Sequence, residues 1–580
     1  GLLSAVGWPA ARIRQSLSRE GLTIAALGAM VGVPAGVLYA WLMIRGLTTV
    51  WVDAIATPFL NLHASPRSLL FGAGLGLAAA WLTIRWVLRR TLRQSPRSLL
   101  AGSGQQDPAS RCAPNPLFAK LPLLLILAAV GLGVWGSTQQ GEAQAGAFFG
   151  SGAALLAGNE LIDGSDPIAQ AYAGHQFGNL TMLGDGRAIL LGEQITPDGA
   201  RRDIQLKGGG RTVFSRGGDG RAALGPMLRE YIISEAMHGL GIPTTRSLAV
   251  VSTGESVLRE TALPGAILTR VAASHLRVGT FQYAAGRQNP ALLEALVDYT
   301  LNRHYPEKND GDNKALALLD AVMDSQIDLI VHWMRVGFIH GVLNTDNVTL
   351  SGESIDFGPC AFMDSFDPDT VFSSIDRQGR YAYGNQPTIT QWNLSRFAET
   401  LLPLIDEDVD SAIEKATAVI KSFNERYSEK WLAMMKKKLG LFGDDPVDEK
   451  LITDLLEWMK THQADYTNTF RDLTAESFPK DRFYQDDDFI NWHQRWQARL
   501  GRNRKPLKSS LCLMRNHNPA VIPRNHRVEA ALVAAEQGDL SVTTALLEAL
   551  NAPYEDRDPD NAYRQPPAPE ERVCQTFCGT

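Results

Sequence analysis

The 580-residue sequence predicts an α+β fold preceded by membrane-spanning helices. Three observations support this prediction. Nearly all long apolar runs lie in the first quarter of the chain, and glycine-bounded segments with alternating apolar and polar residues follow them. Between residues 392 and 550 helical periodicity dominates, with apolar stripes such as Leu451, Leu455, Leu456 and Met459 that are typical of helices facing a core.

The composition excludes several classes of protein. With 45% hydrophobic and 20% charged residues, the chain is too apolar to be disordered, and its length indicates two to four folded units. The formal net charge of -6 argues against a protein that coats nucleic acid, because phosphate binding needs clustered excess cation, so no nucleic-acid partner is expected. Five cysteines are too few for a disulfide scaffold and are typical of a reducing compartment.

Three apolar segments at the start of the chain predict membrane crossings. Residues 22–44 carry no charge and are long enough to cross a hydrocarbon core of about 30 Å, and residues 69–88 and 121–135 are weaker candidates. Buried core helices of a soluble protein are the alternative. Arginines before the first segment and between the second and third are cytoplasmic by the positive-inside rule, so three crossings would place everything after residue 140 outside the cell.

Glycine-rich turns and a lysine predict a nucleotide site in the centre of the chain. The sequence LGDGRAILLGE at 183–193 is a glycine turn entering a strand, and DIQLKGGG at 203–210 alternates up to Lys207 before three glycines break it. A lysine near the end of a strand can meet phosphate oxygens in a cleft. Glu230 follows on a predicted helix, and a strand lysine paired with a helix glutamate is the ion pair of kinase-like nucleotide sites.

A kinase-type catalytic loop follows, with one replacement. His340-Gly341 is followed by Val342, four further residues, Asn347 and then Asp356-Phe357-Gly358, at the spacing of a kinase catalytic loop and its metal-binding triplet. Valine stands where a kinase has its catalytic aspartate, and valine cannot accept a proton from a substrate hydroxyl. The metal ligands Asn347 and Asp356 remain, with an extra carboxylate at Asp346. A hairpin with a chance Asp-Phe-Gly is the alternative.

From about residue 156 onward the chain resembles the selenoprotein O (YdiU) family of pseudokinases. The phrases that carry the resemblance are YAGHQFG, LGDGRA, DIQLKGGGRTVFSRGGDGRA, HGVLNTDN, IDFGPCAFMD, GRYAYGNQPTITQWNLSRFAETL and CQTFCGT. The resemblance implies a protein-kinase-like bilobal fold that binds ATP in a flipped orientation and transfers AMP, not phosphate, to Ser, Thr or Tyr hydroxyls of proteins. For some members it also implies UMP transfer from UTP with manganese.

The resemblance implies roles for individual residues. Asp346 matches the catalytic base, and Asn347 and Asp356 match the ligands of Mg²⁺ or Mn²⁺. Lys207 and Glu230 match the phosphate-binding ion pair. The other nucleotide contacts of the family are matched by Gly184, Gly186, Arg187, Asp219, Gly220, Arg270 and Arg277. Asp356 also matches a nucleotide contact. Arginines suit bidentate binding of the leaving pyrophosphate, and a divalent cation neutralises charge that develops during in-line displacement.

These observations together indicate a fusion. The first part, with phrases such as TPFLNLHASPRSLL, resembles the last helices of an ABC-transporter permease of the lipoprotein-export or cell-division type. The predicted parts are membrane-spanning helices at 1–140, a junction at 141–158, an amino-terminal lobe at about 159–290, a carboxy-terminal lobe with a helical extension at about 291–550, and an extended tail at 551–580. The catalytic part is expected in the cytoplasm, and the whole chain is expected at a membrane if the first part belongs to it.

Cysteines near the carboxyl terminus raise a question of redox control. The resemblance implies that some relatives join a carboxy-terminal cysteine to one after the Asp-Phe-Gly triplet. In this chain Cys360 is the only cysteine in that stretch, and Phe372 stands at the position that best matches the partner. Cys574 and Cys578 could pair with each other, or they could be two tail thiols without a role.

Three hypotheses for the function follow. The first is a metal-dependent protein adenylyltransferase that uses ATP. The second is a residual kinase-type phosphotransferase, which His340 and Asn347 favour and Val342 disfavours. The third is a membrane permease fragment with a passive nucleotide-binding domain.

Overall fold

The computed structural model describes residues 156–159, 165–475, 482–555 and 561–577, together with the single positions 23, 28 and 81. The chain divides into two compact units, Gly1–Gly152 and Ala153–Thr580, and almost all described residues belong to the second. The predicted membrane spans lie outside the described residues except for those single positions. Within the described ranges, none of the helices combines the length and apolar character that a membrane crossing requires.

The strands come first along the described chain. A hairpin of β1 (Ala173–Gln176) and β2 (Asn179–Met182) precedes β3 (Ala188–Ile195) and β4 (Arg201–Lys207). Helix α1 (Leu224–Gly239) then leads to β5 (Arg246–Leu258) and β6 (Ala262–Ala272). The last four strands form an antiparallel sheet in the order β3-β4-β6-β5, and α1 packs against β5 and β6.

Strand β4 shows how alternation in the sequence builds the site. Successive side chains of a strand point to opposite faces, so Asp203, Gln205 and Lys207 share one face and are buried there. Leu206 points the other way into a small apolar cluster. The strand ends at Lys207 because the following Gly208 has φ of +100°, where other residues are strained. A polar row therefore runs along β4 and ends in the lysine.

Helices make up most of the remaining chain. The short strands β7 (Phe338–Ile339) and β8 (Ala361–Phe362) pair with each other among them. The helices are α2 (Val278–Gly286), α3 (Pro290–His304), α4 (Lys314–Val336), α5 (Gln386–Ile405), α6 (Val409–Lys421), α7 (Phe423–Lys438), α8 (Asp448–His462), α9 (Tyr466–Asp472), α10 (Asp487–Gly501), α11 (Leu507–His517), α12 (Asn525–Glu536) and α13 (Ser541–Asn551).

Helix α4 is the centre of the hydrophobic core and sets the start of the catalytic loop. Its residues Leu318, Val322 and Ile330 are fully buried, and it packs against α5 and α7. Gly337 ends the helix in the left-handed conformation with φ of +74°, donating its N–H back to the carbonyl of Trp333. The chain turns there into β7, so the catalytic loop leaves a rigid support.

The α+β prediction is confirmed, because a sheet-forming region is followed by a helical one. The apolar stripe predicted to face a core does so: Leu451, Leu455 and Met459 are buried on α8, and Leu456 is half-buried against the same core. The predicted lobe boundaries stay predictions.

Candidate active site

Three elements bring a lysine and two carboxylates together. Lys207 at the end of β4 donates from Nζ to Glu230 Oε2 on α1 at 2.7 Å. The same Nζ donates to Asp356 Oδ1 at 2.6 Å. Lys207 and Glu230 are both buried, so their pairing is shielded from water. The structure therefore joins the strand lysine, the helix glutamate and the aspartate of the Asp-Phe-Gly triplet in one contact network.

Two arginines complete this network. Arg270 on β6 donates from Nε to Glu230 Oε1 at 2.9 Å and from Nη2 to Asp356 Oδ1 at 2.6 Å. Arg277, just before α2, donates from Nη1 to Asp356 Oδ2 at 2.6 Å and to the carbonyl oxygen of Asp346 at 2.8 Å. Both guanidinium groups are buried. We call Lys207, Arg270 and Arg277 the cation cluster; all three contact the same carboxylate.

The cation cluster determines the charge of Asp356. Burial alone would raise the pKa of its carboxyl, but Arg270, Lys207 and Arg277 hold this pKa well below its usual range. Asp356 also has a backbone φ of +62°, a left-handed conformation that costs an aspartate on the order of 1 kcal/mol and that surrounding contacts must maintain. Asp356 is therefore a fixed anion that its ion pairs hold in place.

Asp346 lies in a different environment. It belongs to the short 3-10 helix Thr345–Asn347, is 7% exposed, and its Oδ1 has no hydrogen-bond partner among the described residues. Burial raises the pKa of this carboxyl to about 6, although Arg277 acts in the opposite direction. A carboxylate with an unused oxygen and a pKa close to neutral pH is suited to accept a proton.

Two glycines make room for Asp346. A Cβ on Gly174 in β1 would overlap the Asp346 carboxylate, and a Cβ on Gly279 in α2 would overlap the carbonyl oxygen of Ala173. The next residue of β1, His175, donates its N–H to Thr345 Oγ1 at 2.7 Å. The hairpin of β1 and β2 is thus fixed on the catalytic loop and covers one side of Asp346.

The remaining residues of the catalytic loop have identifiable contacts. Asn347 donates from Nδ2 to the carbonyl oxygen of Val342 at 2.7 Å, and this bond does not use its amide oxygen. Val342 itself is buried. His340 stacks on Trp333, and its Nε2 bonds with the carbonyl oxygen of Ile355 at 2.9 Å. His340 therefore supports the loop, while Asn347 keeps an oxygen for a ligand.

The two glycine-rich loops pack against each other. A Cβ on Gly184, whose φ is +82°, would overlap the ring of Phe214 in the second loop. Ser215 donates from Oγ to the carbonyl oxygen of Gly186 at 2.5 Å. Glycine is needed at position 184 both for the backbone conformation and for this close approach. The first predicted nucleotide loop is thus held by the second.

The other predicted nucleotide contacts occupy the ends of these loops. The carbonyl oxygen of Arg187 accepts the N–H of Gly208 at 2.7 Å, directly after the strand lysine. Gly220 has φ of +69° and has no room for a Cβ. Asp219 is 41% exposed and pairs with Arg259 at 2.9 Å. The structure therefore does not bring the Asp219 carboxylate into the cation cluster.

Two buried polar residues of the site were missed by the sequence analysis. Asp185 is 2% exposed, and its Oδ2 accepts from Gln205 Nε2 at 3.1 Å. Gln205 in turn accepts through Oε1 from Arg270 Nη1 at 3.2 Å. Burial raises the pKa of Asp185, and Arg277 opposes this rise. The signals were present in the sequence, since Asp185 lies inside the first glycine loop and Gln205 shares the strand face of Lys207.

The donor set suits a divalent cation shared between the protein and nucleotide phosphates. Mg²⁺ is commonly held by one or two carboxylates and by substrate phosphate oxygens. Asp356 offers a carboxylate, Asn347 offers its amide oxygen, and Asp346 has an unpartnered oxygen. In the part of the chain that the structure describes, no group of three or more His, Cys, Asp or Glu could hold a metal alone. Phosphate oxygens would therefore have to complete the coordination.

The carboxy-terminal tail contacts the segment after the Asp-Phe-Gly triplet. Thr576 donates its N–H to the carbonyl oxygen of Phe372 at 2.7 Å and its hydroxyl to the carbonyl oxygen of Pro359 at 2.5 Å. Cys574 is exposed and, with Phe372, lines a cavity of about 210 Å³. Cys578 lies outside the described residues, so its pairing with Cys574 stays a prediction.

Comparison with known proteins separates the chain into two parts. Residues 144–551 match the family described as "Protein adenylyltransferase SelO", and residues 1–96 match the family described as "FtsX-like permease C-terminal". Both matches agree with the two resemblances noted in the sequence.

Curated relatives named "Protein nucleotidyltransferase YdiU" are similar to most of the chain. The relative from Alcanivorax borkumensis is 73% identical over 427 residues, which are 73% of this chain and 88% of the relative. The relative from Nitrosococcus oceani is 62% identical over 429 residues, 74% of this chain and 87% of the relative. The relative from Geobacillus kaustophilus is 55% identical over 473 residues, 81% of this chain and 96% of the relative.

Proposed function

This chain belongs to the SelO family and is a protein nucleotidyltransferase, and from that premise we propose that it transfers AMP from ATP to Ser, Thr or Tyr hydroxyls of proteins and releases pyrophosphate. One observation carries the proposal: two carboxylates of the same loop region, one buried and one half-buried, differ in charge state. Asp356 is held as an anion by its ion pairs with the cation cluster, whereas Asp346 has an unpartnered oxygen and a pKa of about 6. Nucleotidyl transfer needs a base beside a group of cations that bind phosphates.

In this mechanism the oxygen of the acceptor hydroxyl attacks the α-phosphorus, and Asp346 accepts the proton of that hydroxyl. The bond between the α-phosphorus and the bridging oxygen of the β-phosphate breaks, and the electron pair leaves with pyrophosphate. The cation cluster binds the charge that develops on pyrophosphate. Val342 offers no base for the hydroxyl that a kinase would activate, which favours transfer at the α-phosphorus over transfer at the γ-phosphorus.

Further parts of the proposal concern the nucleotide and the metal. Asn347 and Asp356 would hold Mg²⁺ or Mn²⁺, which when bound neutralises phosphate charge. The two glycine loops bind the nucleotide through their backbone and through Arg187, with Asp219 and Gly220 at the outer end. UTP is a second nucleotide substrate in this proposal, through the same phosphate contacts.

We also infer a protein-kinase-like bilobal arrangement for residues 159–550. Its support is the order of elements along the chain: a strand lysine, a helix glutamate, a catalytic loop and an Asp-Phe-Gly triplet. The amino-terminal lobe would comprise the sheet and α1 up to about residue 290, and the helices after it would form the second lobe. This order is the one found in kinase-type nucleotide sites.

We propose that the chain is membrane-associated, which the likeness of residues 1–96 to a permease supports. We propose separately that its catalytic part is cytoplasmic, because ATP is present there; three crossings would place that part on the other side. Deletion of residues 1–150 tests this. We expect the remainder to be soluble, to bind ATP and to label protein, whereas the full chain partitions with membranes. Failure of the remainder in all three respects would instead support a permease fragment with a passive appendage.

The decisive experiment uses ATP labelled at either the α- or the γ-phosphate. We expect the purified chain with Mg²⁺ or Mn²⁺ to transfer the α-label to itself or to a protein acceptor and to leave the γ-label in pyrophosphate. Transfer of the γ-label alone would support the residual phosphotransferase, which the preserved Asn347 and Asp356 favour. Added UTP tests the second nucleotide, because it should then compete for labelling.

A further inference from the structure

The ring of Tyr172 lies against one guanidinium of the cation cluster. Arg277 Cζ is 4.7 Å from the centre of this ring, and Tyr172 directly precedes β1. Tyr172 opens the phrase YAGHQFG, whose Gly174 and His175 contact the catalytic loop. Resting on the proposed function, we propose that Tyr172 is a positioning residue: its ring fixes the Arg277 guanidinium for binding of the nucleotide phosphates.

Arg277 needs such a support because its polar contacts lie on one side. Its Nη1 donates both to the carbonyl oxygen of Asp346 and to Asp356 Oδ2, whereas its buried Nε has no hydrogen-bond partner among the described residues. A planar guanidinium that is attached to its side chain through Nε and hydrogen-bonded through Nη1 can still turn about the axis that joins these two points. An aromatic ring on its face restrains the plane and leaves the edge donors available to a phosphate.

Tyr172 is itself fixed by the first glycine loop. Its carbonyl oxygen accepts the N–H of Leu183 at 3.0 Å, and the N–H of Asp185 donates to the carbonyl oxygen of Gln170 at 2.9 Å. The Asp185 side chain adds a second contact between these two residues: its Oδ2 accepts the N–H of Gln170 at 3.2 Å. The position of the ring is therefore set by backbone pairing that is independent of Arg277.

A tyrosine suits this position better than an acid would. Burial raises the pKa of the Tyr172 phenol, so the ring remains neutral at physiological pH. A carboxylate beside Arg277 would compete with phosphate for the guanidinium, whereas a neutral ring attracts the cation through its face and leaves its charge available. The Tyr172 ring therefore orients the Arg277 guanidinium without adding a negative charge beside it.

Two variants separate the ring from its hydroxyl. Tyr172→Phe keeps the ring, and Tyr172→Leu removes it while keeping an apolar side chain. We expect Tyr172→Leu to raise the dissociation constant for Mg²⁺–ATP, measured by calorimetry, by about 5- to 20-fold, and Tyr172→Phe to raise it at most about twofold. The KM for ATP should rise in parallel, with a change in kcat of less than about threefold.

Tyr283→Leu is the matched control. Tyr283 lies on α2 and carries the Arg287 guanidinium 5.1 Å from its ring centre, away from the cation cluster. This variant loses a similar contact and should bind ATP like the unaltered chain. Equal affinity in Tyr172→Leu and the unaltered chain, or an equal loss in Tyr172→Phe, would overturn the proposal. So would a lowered melting temperature with an unchanged dissociation constant, because that result assigns a purely structural role.

The binding measurement also separates this proposal from the proposed function. If the unaltered chain binds ATP but transfers no α-label, the proposed AMP transfer fails, and the comparison of the Tyr172 variants is still decided by their affinities.

Discussion

Asp346 and Asp356 lie ten residues apart, are both largely removed from water, and have opposite electrostatic states. Asp356 meets three cations, which hold its pKa well below the usual range, whereas burial raises the pKa of Asp346 to about 6. Both contact Arg277, but through different groups: Asp356 through its carboxylate and Asp346 through its backbone carbonyl.

The difference teaches that charged neighbours, more than burial, assign the role of a carboxylate. A buried acid whose oxygens are occupied by cations is an anchor and a metal ligand, and a buried acid with an unused oxygen is a base. Because one arginine touches both, the geometry that creates the anchor also places the base.

Asp346→Asn should have the largest effect. The amide has nearly the shape of the carboxylate but cannot accept a proton, so we expect AMP transfer to fall by about 10²- to 10⁴-fold. The dissociation constant for ATP should change by less than about threefold, because the cation cluster is untouched. Single-turnover labelling and calorimetry measure the two quantities. More than a tenth of the original transfer rate would mean that the base is another group.

Asp356→Asn tests whether Asp356 anchors the cation cluster. It leaves three buried cations without their shared counterion, so we expect the free energy of unfolding to fall by about 3–5 kcal/mol in chemical denaturation. Pyrophosphate should restore part of this loss by supplying an anion. The control is Asp219→Asn, which removes an exposed ion pair and should cost less than about 1 kcal/mol. Equal losses in the two variants would contradict the anchoring role of Asp356.

Gly174→Ala should disturb Asp346 through sterics alone. The new methyl group overlaps the carboxylate, so β1 or the catalytic loop must shift, and a misplaced base is expected to lower the transfer rate by about 10- to 100-fold. Gly286→Ala, at the end of α2, is the control because its methyl group meets nothing within 4 Å. An unchanged rate in Gly174→Ala would show that the hairpin does not constrain the base.

The pH dependence should show the smallest effect. With a pKa of about 6 for Asp346, transfer at pH 5 should be about tenfold slower than at pH 7. This folded pKa lies above the ordinary value of 3.8, so the contribution of Asp346 to stability is present below pH 3.8 and is lost as the pH rises through about 6. As the pH rises from 4 to 8, the unaltered chain should therefore lose free energy of unfolding that Asp346→Asn does not lose. Urea denaturation of both proteins at pH 4 and at pH 8 measures this difference.

Local periodicity was enough to predict part of this site. The contact of Lys207 with Glu230 follows from a strand that ends in glycine and a helix that packs on the same sheet. The positions of Asn347 and Asp356 follow from the spacing of the catalytic loop and the triplet. Each of these residues lies in a segment whose type can be recognised from residues close in sequence.

Other contacts of the site join segments that are far apart in the sequence, and no local pattern predicts them. Tyr172 meets Arg277 across more than 100 positions, and Gln205 links Asp185 to Arg270. The contact of the Asp219 carboxylate with Arg259 is another long-range pairing, and the role of Asp219 as a nucleotide contact stays a prediction. Burial and charge compensation decide such cases, and both are properties of the folded chain.

The pairing of Thr576 with the segment after the Asp-Phe-Gly triplet has a consequence for protein synthesis. The carbonyl oxygen of Thr576 accepts the N–H of Ser374, so this segment obtains its last backbone partners from a region about 200 residues further along the chain. At about 5–20 residues per second, the ribosome makes those partners on the order of 10–40 s later. The segment after the Asp-Phe-Gly triplet therefore obtains these backbone partners only at the end of translation.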